Sequence, residues 1–335
     1  MVWTGADLQN SGAWITELHQ KEIDELRTAV NKARSSAKPL ARQSRDDFTF
    51  RLLGERLTRL KIQLNEGMGF TLINGDFTNG WTDQDLIYAY WGIGTWLGHA
   101  LPQNAQAHLL GHVIDQRQEH KPGTRVYQTN QAQPFHSDSC DLVGLLCLRA
   151  AKSGGASAVA SSAAIFNDLL AQNHPVLETL HQVFYCDRFG EIPAGKKSHY
   201  PIRVFNNIDN RIVCCGMDPD IRSAQRLKEV PRLDRLQQQA LDAFQASASR
   251  LAVNMQLQRG DMQFVNNLVA VHARTAFEDF DDIEHRRYLI RLWLSVPEGR
   301  RLPEFMAERW GTIEPGKLRG GIRVPGAEPS VQFHP

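Results

Sequence analysis

Residues 287–294, RYLIRLWL, constrain the fold of this chain more than any other stretch. Side chains alternate across a strand. Tyr288, Ile290, Leu292 and Leu294 therefore form one wholly apolar face, and Arg287, Leu289, Arg291 and Trp293 form the other. The first face is core. The second sets two guanidinium groups on an otherwise apolar surface, where an unpaired charge is expensive. Something anionic has to meet them. The planar fork of arginine matches a carboxylate in bidentate fashion. The partners are either bound anions or internal acids, with Asp261 or Glu284 the candidates for the pair and Glu278 or Asp282 for Arg291 alone.

Such a strand needs a sheet, and the chain supplies one. From Gly111 onward the stretches GHVIDQR, TRVYQT, SAVAS, IRVFN and RIVCCG are short, rich in strand formers and separated by turn residues. Residues 262–265 and 288–296 add two further strands. The first third is helical. Ile23, Leu26, Val30 and Ala33 are spaced for one helix, and Leu53, Leu57, Leu60 and Leu64 for a second. GFTLI reads as a strand, and Thr82 caps a third helix carrying Leu86, Tyr90 and Leu97. Helices are also expected over 161–172 and 231–246. The expected class is α+β, a double-stranded β-helix (jelly roll) core with flanking helices and a helical insertion. One domain over 1–335 is expected: a helical region at 1–65, the core at 66–296 with its insertion at 161–250, and a loop-rich tail at 297–335 lying over one end of the barrel.

A net charge of +1, with acids and bases dispersed, argues against nucleic acid or an anionic membrane as partner. The expected partners are a small-molecule substrate and, at most, further copies of the chain. The N-terminus has no basic-then-apolar leader, and no window approaches the roughly 20 apolar residues of a membrane helix. Five cysteines without a CxxC pair read as reduced thiols, which fits a cytoplasmic location.

The chemistry centres on QPFHSDSCDLVGLLCL, residues 133–148. In a strand His136 and Asp138 share a face and can both reach one ion. An HxD pair alone is equally a surface turn. His272, in NNLVAVHAR, is a third candidate, and two His with one carboxylate are the ligand set of a non-haem Fe(II) site with open positions. A closed zinc site would need a fourth ligand. His108 and His112 in HLLGH have zincin spacing but lack the glutamate. Asn266 and Asn267 are expected to order the turn before His272.

HSD, then GGAS at 154–157, GDMQFVNN leading to HAR, and RRYLIRLWL together resemble the TauD/TfdA family of Fe(II)/2-oxoglutarate-dependent dioxygenases. The resemblance spans residues 60 to 296. It implies that His136, Asp138 and His272 bind iron, with O2 and 2-oxoglutarate as cosubstrates, and that Arg287 binds the distal carboxylate of 2-oxoglutarate. The family usually has Thr at the end of GGxT; here Ser157 keeps the hydroxyl. Arg291 falls where taurine-type members hold the substrate's anionic group. Arg274 shares a strand face with His272 and is a candidate to meet the substrate, 2-oxoglutarate or an acid, and Asn130, just upstream of the HxD pair, is a further substrate-binding candidate. The implied reaction is oxidation, most simply hydroxylation, of an unactivated C–H bond of a small anionic or zwitterionic substrate, with succinate and CO2 as co-products. Relatives that chlorinate lack the carboxylate that Asp138 provides. A cupin-like metal enzyme without cosubstrate would leave Arg287 and Ser157 unexplained. A non-catalytic binding protein would leave the intact ligand set unexplained.

Overall fold

The structure, a computed structural model, describes residues 2–117, 126–172, 174–314, 316–322 and 326–335. Two sheets face each other. The wide sheet runs Ile15–Thr16, Phe70–Ile73, Met262–Asn266, Leu142–Arg149, Tyr288–Ser295, His99–Leu101, with Leu110–Ile114 also paired to Tyr288–Ser295. The smaller sheet runs Val253–Met255, Ser157–Ser161, Ala270–Arg274, Gln133–His136. The two-faced strand read from the sequence lies deep in the wide sheet. Tyr288, Ile290, Leu292 and Leu294 pack outward against the helices Gln20–Ser35, Leu52–Glu66 and Asp83–Leu97. Leu289 and Trp293 pack inward, against Val143 and Cys147 of the neighbouring strand and Val159 and Ala270 of the opposite sheet.

Local sequence explains the outer helices. Thr82 caps Asp83–Leu97 through a reciprocal box with Asp85, whose carboxylate accepts from the Thr82 amide at 2.9 Å. This helix lies so close that a side chain at Gly144 would meet the Tyr90 hydroxyl at 2.3 Å. The insertion forms the outer cover of the smaller sheet through Ser162–Gln172, His174–Leu180 and Arg235–Leu251, with the hairpins Phe184–Asp187/His199–Ile202 and Phe205–Ile208/Arg211–Cys214.

One expected strand is absent. In TRVYQT, Thr124 and Arg125 lie outside the described residues, and Val126–Gln128 is a 3-10 turn. Thr129 closes that turn, its amide and its hydroxyl both donating to the Val126 carbonyl. The tail does more than lie over the barrel. Arg319 is 1% exposed and grips Asp141 at 2.6 and 3.0 Å. The Val296 amide also donates to Asp141, at 2.8 Å. Burial raises the Asp141 carboxyl above its ordinary range, and Arg319 works against that shift. Beside them the Gly321 amide donates to the Ser139 carbonyl at 2.9 Å.

Candidate active site

His136 ends its strand directly opposite His272, and the two rings lie 4.2 Å apart. Asp138 is not on the strand, contrary to the alternation expected for HxD. The chain leaves the sheet at Ser137, whose amide donates to Gly216 at 2.9 Å and whose hydroxyl accepts from the Gly216 amide. Asp138 is then turned back toward the histidines because its amide donates to the Asn267 side chain at 2.9 Å. Asn267 also donates to the Cys140 carbonyl at 3.0 Å, so it orders the metal loop as well as its own turn.

The result is a compact donor set. One ligand atom each from His136, Asp138 and His272 lies within 4.8 Å of the others. His136 donates from Nδ1 to the Pro134 carbonyl at 2.9 Å. A carbonyl can only accept, so Nδ1 carries a proton; burial holds the imidazole below its ordinary range, which leaves the lone pair on Nε2, 2.9 Å from the Gln133 amide. Burial, followed by the neighbouring His136, pushes the His272 imidazole down to about 3, so it too is neutral. Burial opposes ionisation of Asp138, but Arg291, His272 and His136 outweigh it and hold the carboxyl below its ordinary range. Asp138 Oδ2 and His272 Nδ1 are buried without a hydrogen-bond partner. Two neutral imidazoles and an ionised carboxylate with an orphaned oxygen fit a divalent iron. Among the described residues no fourth ligand joins them, which leaves positions open for exogenous ligands.

His136 and Asp138 open onto a cavity of about 390 Å³. Arg291 enters it between the rings of Tyr127 and Trp293, at 4.7 and 4.8 Å. Its Nε donates to Gln103 at 2.8 Å, and its Nη1 lies 3.7 Å from Asp138 Oδ1. Neither acid weighed as its structural partner is close: Glu278 accepts from Ser153 and Asp282 from His285. Arg287 is 5% exposed, and among the described residues no acceptor meets its guanidinium. Asp261 is spent on the amides of Gly75 and Gln258, both at 2.8 Å, and Glu284 is exposed. Burial pushes Arg287 down to about 10. At the turn beside it, Gly155 has φ of 68°, and a side chain there would reach Arg287 Nε at 3.0 Å. Ser157 is buried and donates to Gln263 at 3.2 Å.

Arg274 is buried but does not line the cavity, and Asn130 is exposed away from it, its carbonyl holding the Phe277 amide. The HLLGH histidines form no metal site. His112 lies on the strand Leu110–Ile114 and meets the Tyr288 hydroxyl at 2.6 Å. Sequence reasoning missed Gln133, Gln103 and the aromatic pair around Arg291. Gln133 had a signal, since it stands three residues before His136 in the same motif. Gln103 had none, because the strand that it supports is 188 residues away.

Residues 36–293 match the family described as Taurine catabolism dioxygenase TauD, TfdA family. The chain belongs to that family. It is 30% identical to FR-33289 synthase of Streptomyces rubellomurinus over 320 residues, 92% of this chain and 94% of that one. It is 26% identical to the taurine hydroxylase-like protein SAT17 of Stachybotrys chartarum, over 87% of this chain and 78% of that one. Among solved structures, asparagine oxygenase in complex with Fe(II), 2S,3S-3-hydroxyasparagine and succinate superposes with a TM-score of 0.66 at 16% identity, covering 84% of this chain and 93% of that one. The non-heme iron oxygenase OrfP in complex with Fe and alpha-ketoglutaric acid gives 0.62 at 17% identity, over 84% and 94%. Those two likenesses are of fold. As a TauD/TfdA member the chain is an Fe(II)/2-oxoglutarate-dependent dioxygenase. No helix among the described residues is long and apolar enough to cross a membrane.

Proposed function

We propose that this dioxygenase hydroxylates an unactivated C–H bond of a small anionic or zwitterionic molecule. In this reading His136, Asp138 and His272 hold the iron, Arg287 and Ser157 receive the distal carboxylate of 2-oxoglutarate, and Arg291 holds the substrate's anionic group. Residues 1–335 act as one domain, which the Arg319–Asp141 contact between tail and core supports. The observation that carries the substrate class is the pairing of Arg291. Its nearest carboxylate is Asp138, at 3.7 Å. Once Asp138 gives its charge to a metal, Arg291 keeps two aromatic faces and a neutral amide but, among the described residues, no counter-ion of its own. Three other arginines line the cavity: Arg222 is neutralised by Asp218 and Asp242, and Arg226 by Asp187, whereas Arg309 donates to the Gly321 carbonyl at 2.9 Å and forms no ion pair among the described residues.

Bound iron, 2-oxoglutarate and O2 supply the oxidising chemistry, with succinate and CO2 as co-products. The chain's own residues orient and shield. Gln103 fixes the direction of the Arg291 fork, donating to the Arg291 carbonyl at 2.9 Å while accepting from its Nε. Tyr127 and Trp293 wall the guanidinium against water, which strengthens its hold on an anion.

The test is succinate release over a panel of small acids and zwitterions, with mass spectrometry for the gain of one oxygen. His272→Ala is expected to abolish iron-dependent turnover while the circular dichroism spectrum stays unchanged. Arg291→Gln should keep uncoupled 2-oxoglutarate decay while substrate affinity falls. Full turnover in His272→Ala, or unchanged substrate affinity in Arg291→Gln, would overturn the corresponding assignment.

A further inference from the structure

Arg274 follows His272 by two residues on Ala270–Arg274 and pairs in register with Ser157. It is 7% exposed, beside Arg287 at 5%. The two guanidinium carbons lie 4.9 and 5.2 Å from the centre of one ring, that of Phe277. Among the described residues neither forms an ion pair. Of the acids that bear on them, Asp115 accepts from the Arg117 amide at 2.9 Å, and Asp279 accepts from the backbone amide of Arg287 through Oδ1 at 2.8 Å while its Oδ2 is buried without a hydrogen-bond partner. Arg274 spends Nη2 on the carbonyls of Thr129 and Gln131, and its Nε is buried with no partner at all.

Two like charges held over one aromatic ring in a poorly solvated place destabilise each other as well as paying for desolvation. An anion seated between them removes both penalties.

We infer that Arg274 is a second cation for the distal carboxylate of 2-oxoglutarate, acting with Arg287. The inference rests on the cosubstrate assignment of the preceding subsection and adds a residue to it. Arg274 belongs to the same short strand as the metal ligand His272, so one rigid element carries both a metal donor and a carboxylate donor. The carbonyls of Thr129 and Gln131 fix its fork from behind and leave the Nε edge for the ligand.

The test is anaerobic titration calorimetry on Mn(II)-loaded protein with two ligands of equal chain length. 2-Oxoglutarate carries the distal carboxylate; 2-oxopentanoate does not. Arg274→Gln is expected to weaken 2-oxoglutarate by roughly tenfold to a hundredfold and to leave 2-oxopentanoate unchanged. Arg274→Lys, which keeps the charge, should recover part of the loss, and it decides the matter if the Gln variant does not fold. Equal weakening of both ligands would assign Arg274 to holding Thr129 and Gln131 and overturn the inference, as would unchanged 2-oxoglutarate affinity in both variants. Wild-type protein that failed to bind 2-oxoglutarate would instead overturn the cosubstrate assignment itself.

Discussion

Arg319 and Arg287 are both buried arginines, and the molecule treats them in opposite ways. Arg319, from the tail, is closed onto Asp141 in a bidentate pair that also takes the Val296 amide. Arg287 forms no ion pair among the described residues and shares the Phe277 ring with a second arginine that forms none. Burial alone does not separate a structural charge from a ligand-binding one. What separates them is whether the fold supplies the counter-charge. A compensated pair holds two segments together, whereas an uncompensated one stores a penalty that only a bound anion relieves.

The comparison can be broken most sharply at Arg319. Replacing it with Met leaves Asp141 as a lone buried carboxylate, and urea denaturation should show a loss of about 3–5 kcal/mol. A loss under 1 kcal/mol would mean that the pair is not the clasp described. The converse substitution, Arg287→Met, should leave the stability of the ligand-free protein unchanged or raised, because it removes a charge with no partner. Its 2-oxoglutarate affinity should fall by about 1.5–3 kcal/mol, measured by titration calorimetry on Mn(II)-loaded protein. Marked destabilisation without ligand would place Arg287 in the same class as Arg319. The smallest effect is expected from Ser157→Ala, which removes a neutral hydroxyl worth about 0.5–1.5 kcal/mol. An effect on 2-oxoglutarate affinity as large as that of Arg287→Met would show that the hydroxyl, not the cation, dominates.

The two sites also differ in how far they could be read from sequence. The alternation in RYLIRLWL exposed Arg291 as a charge on an inward face, and the strand Tyr288–Ser295 bears that out; Arg287 stands just before the strand, whose register is irregular between Tyr288 and Leu289. Local signals were equally informative for Thr82 as a cap and for the apolar stripes of the outer helices. The Arg319–Asp141 pair was invisible, because nothing local marks an arginine in a Gly-rich tail as the partner of an acid 178 residues earlier. The placement of Asp138 was misread for a related reason. Period-two alternation holds only while the chain stays in the sheet, and the bond from Ser137 to Gly216 takes it out. Gln103 escaped notice because a glutamine that supports a remote strand looks like any other loop residue.

The metal loop, residues 136–141, is pinned by Gly216, Asn267, Arg319 and Gly321. Every one of these anchors lies downstream in the chain. A polypeptide emerging from the ribosome presents His136 and Asp138 long before it presents what fixes them, and His272 itself comes 136 residues after His136. Domains tend to fold from the N-terminus as they are made, but this loop cannot take its final shape until Gly321 has been added. On the proposed assignment, a chain cut short before Arg319 would carry His136, Asp138 and His272 without the clasp that keeps their loop in place.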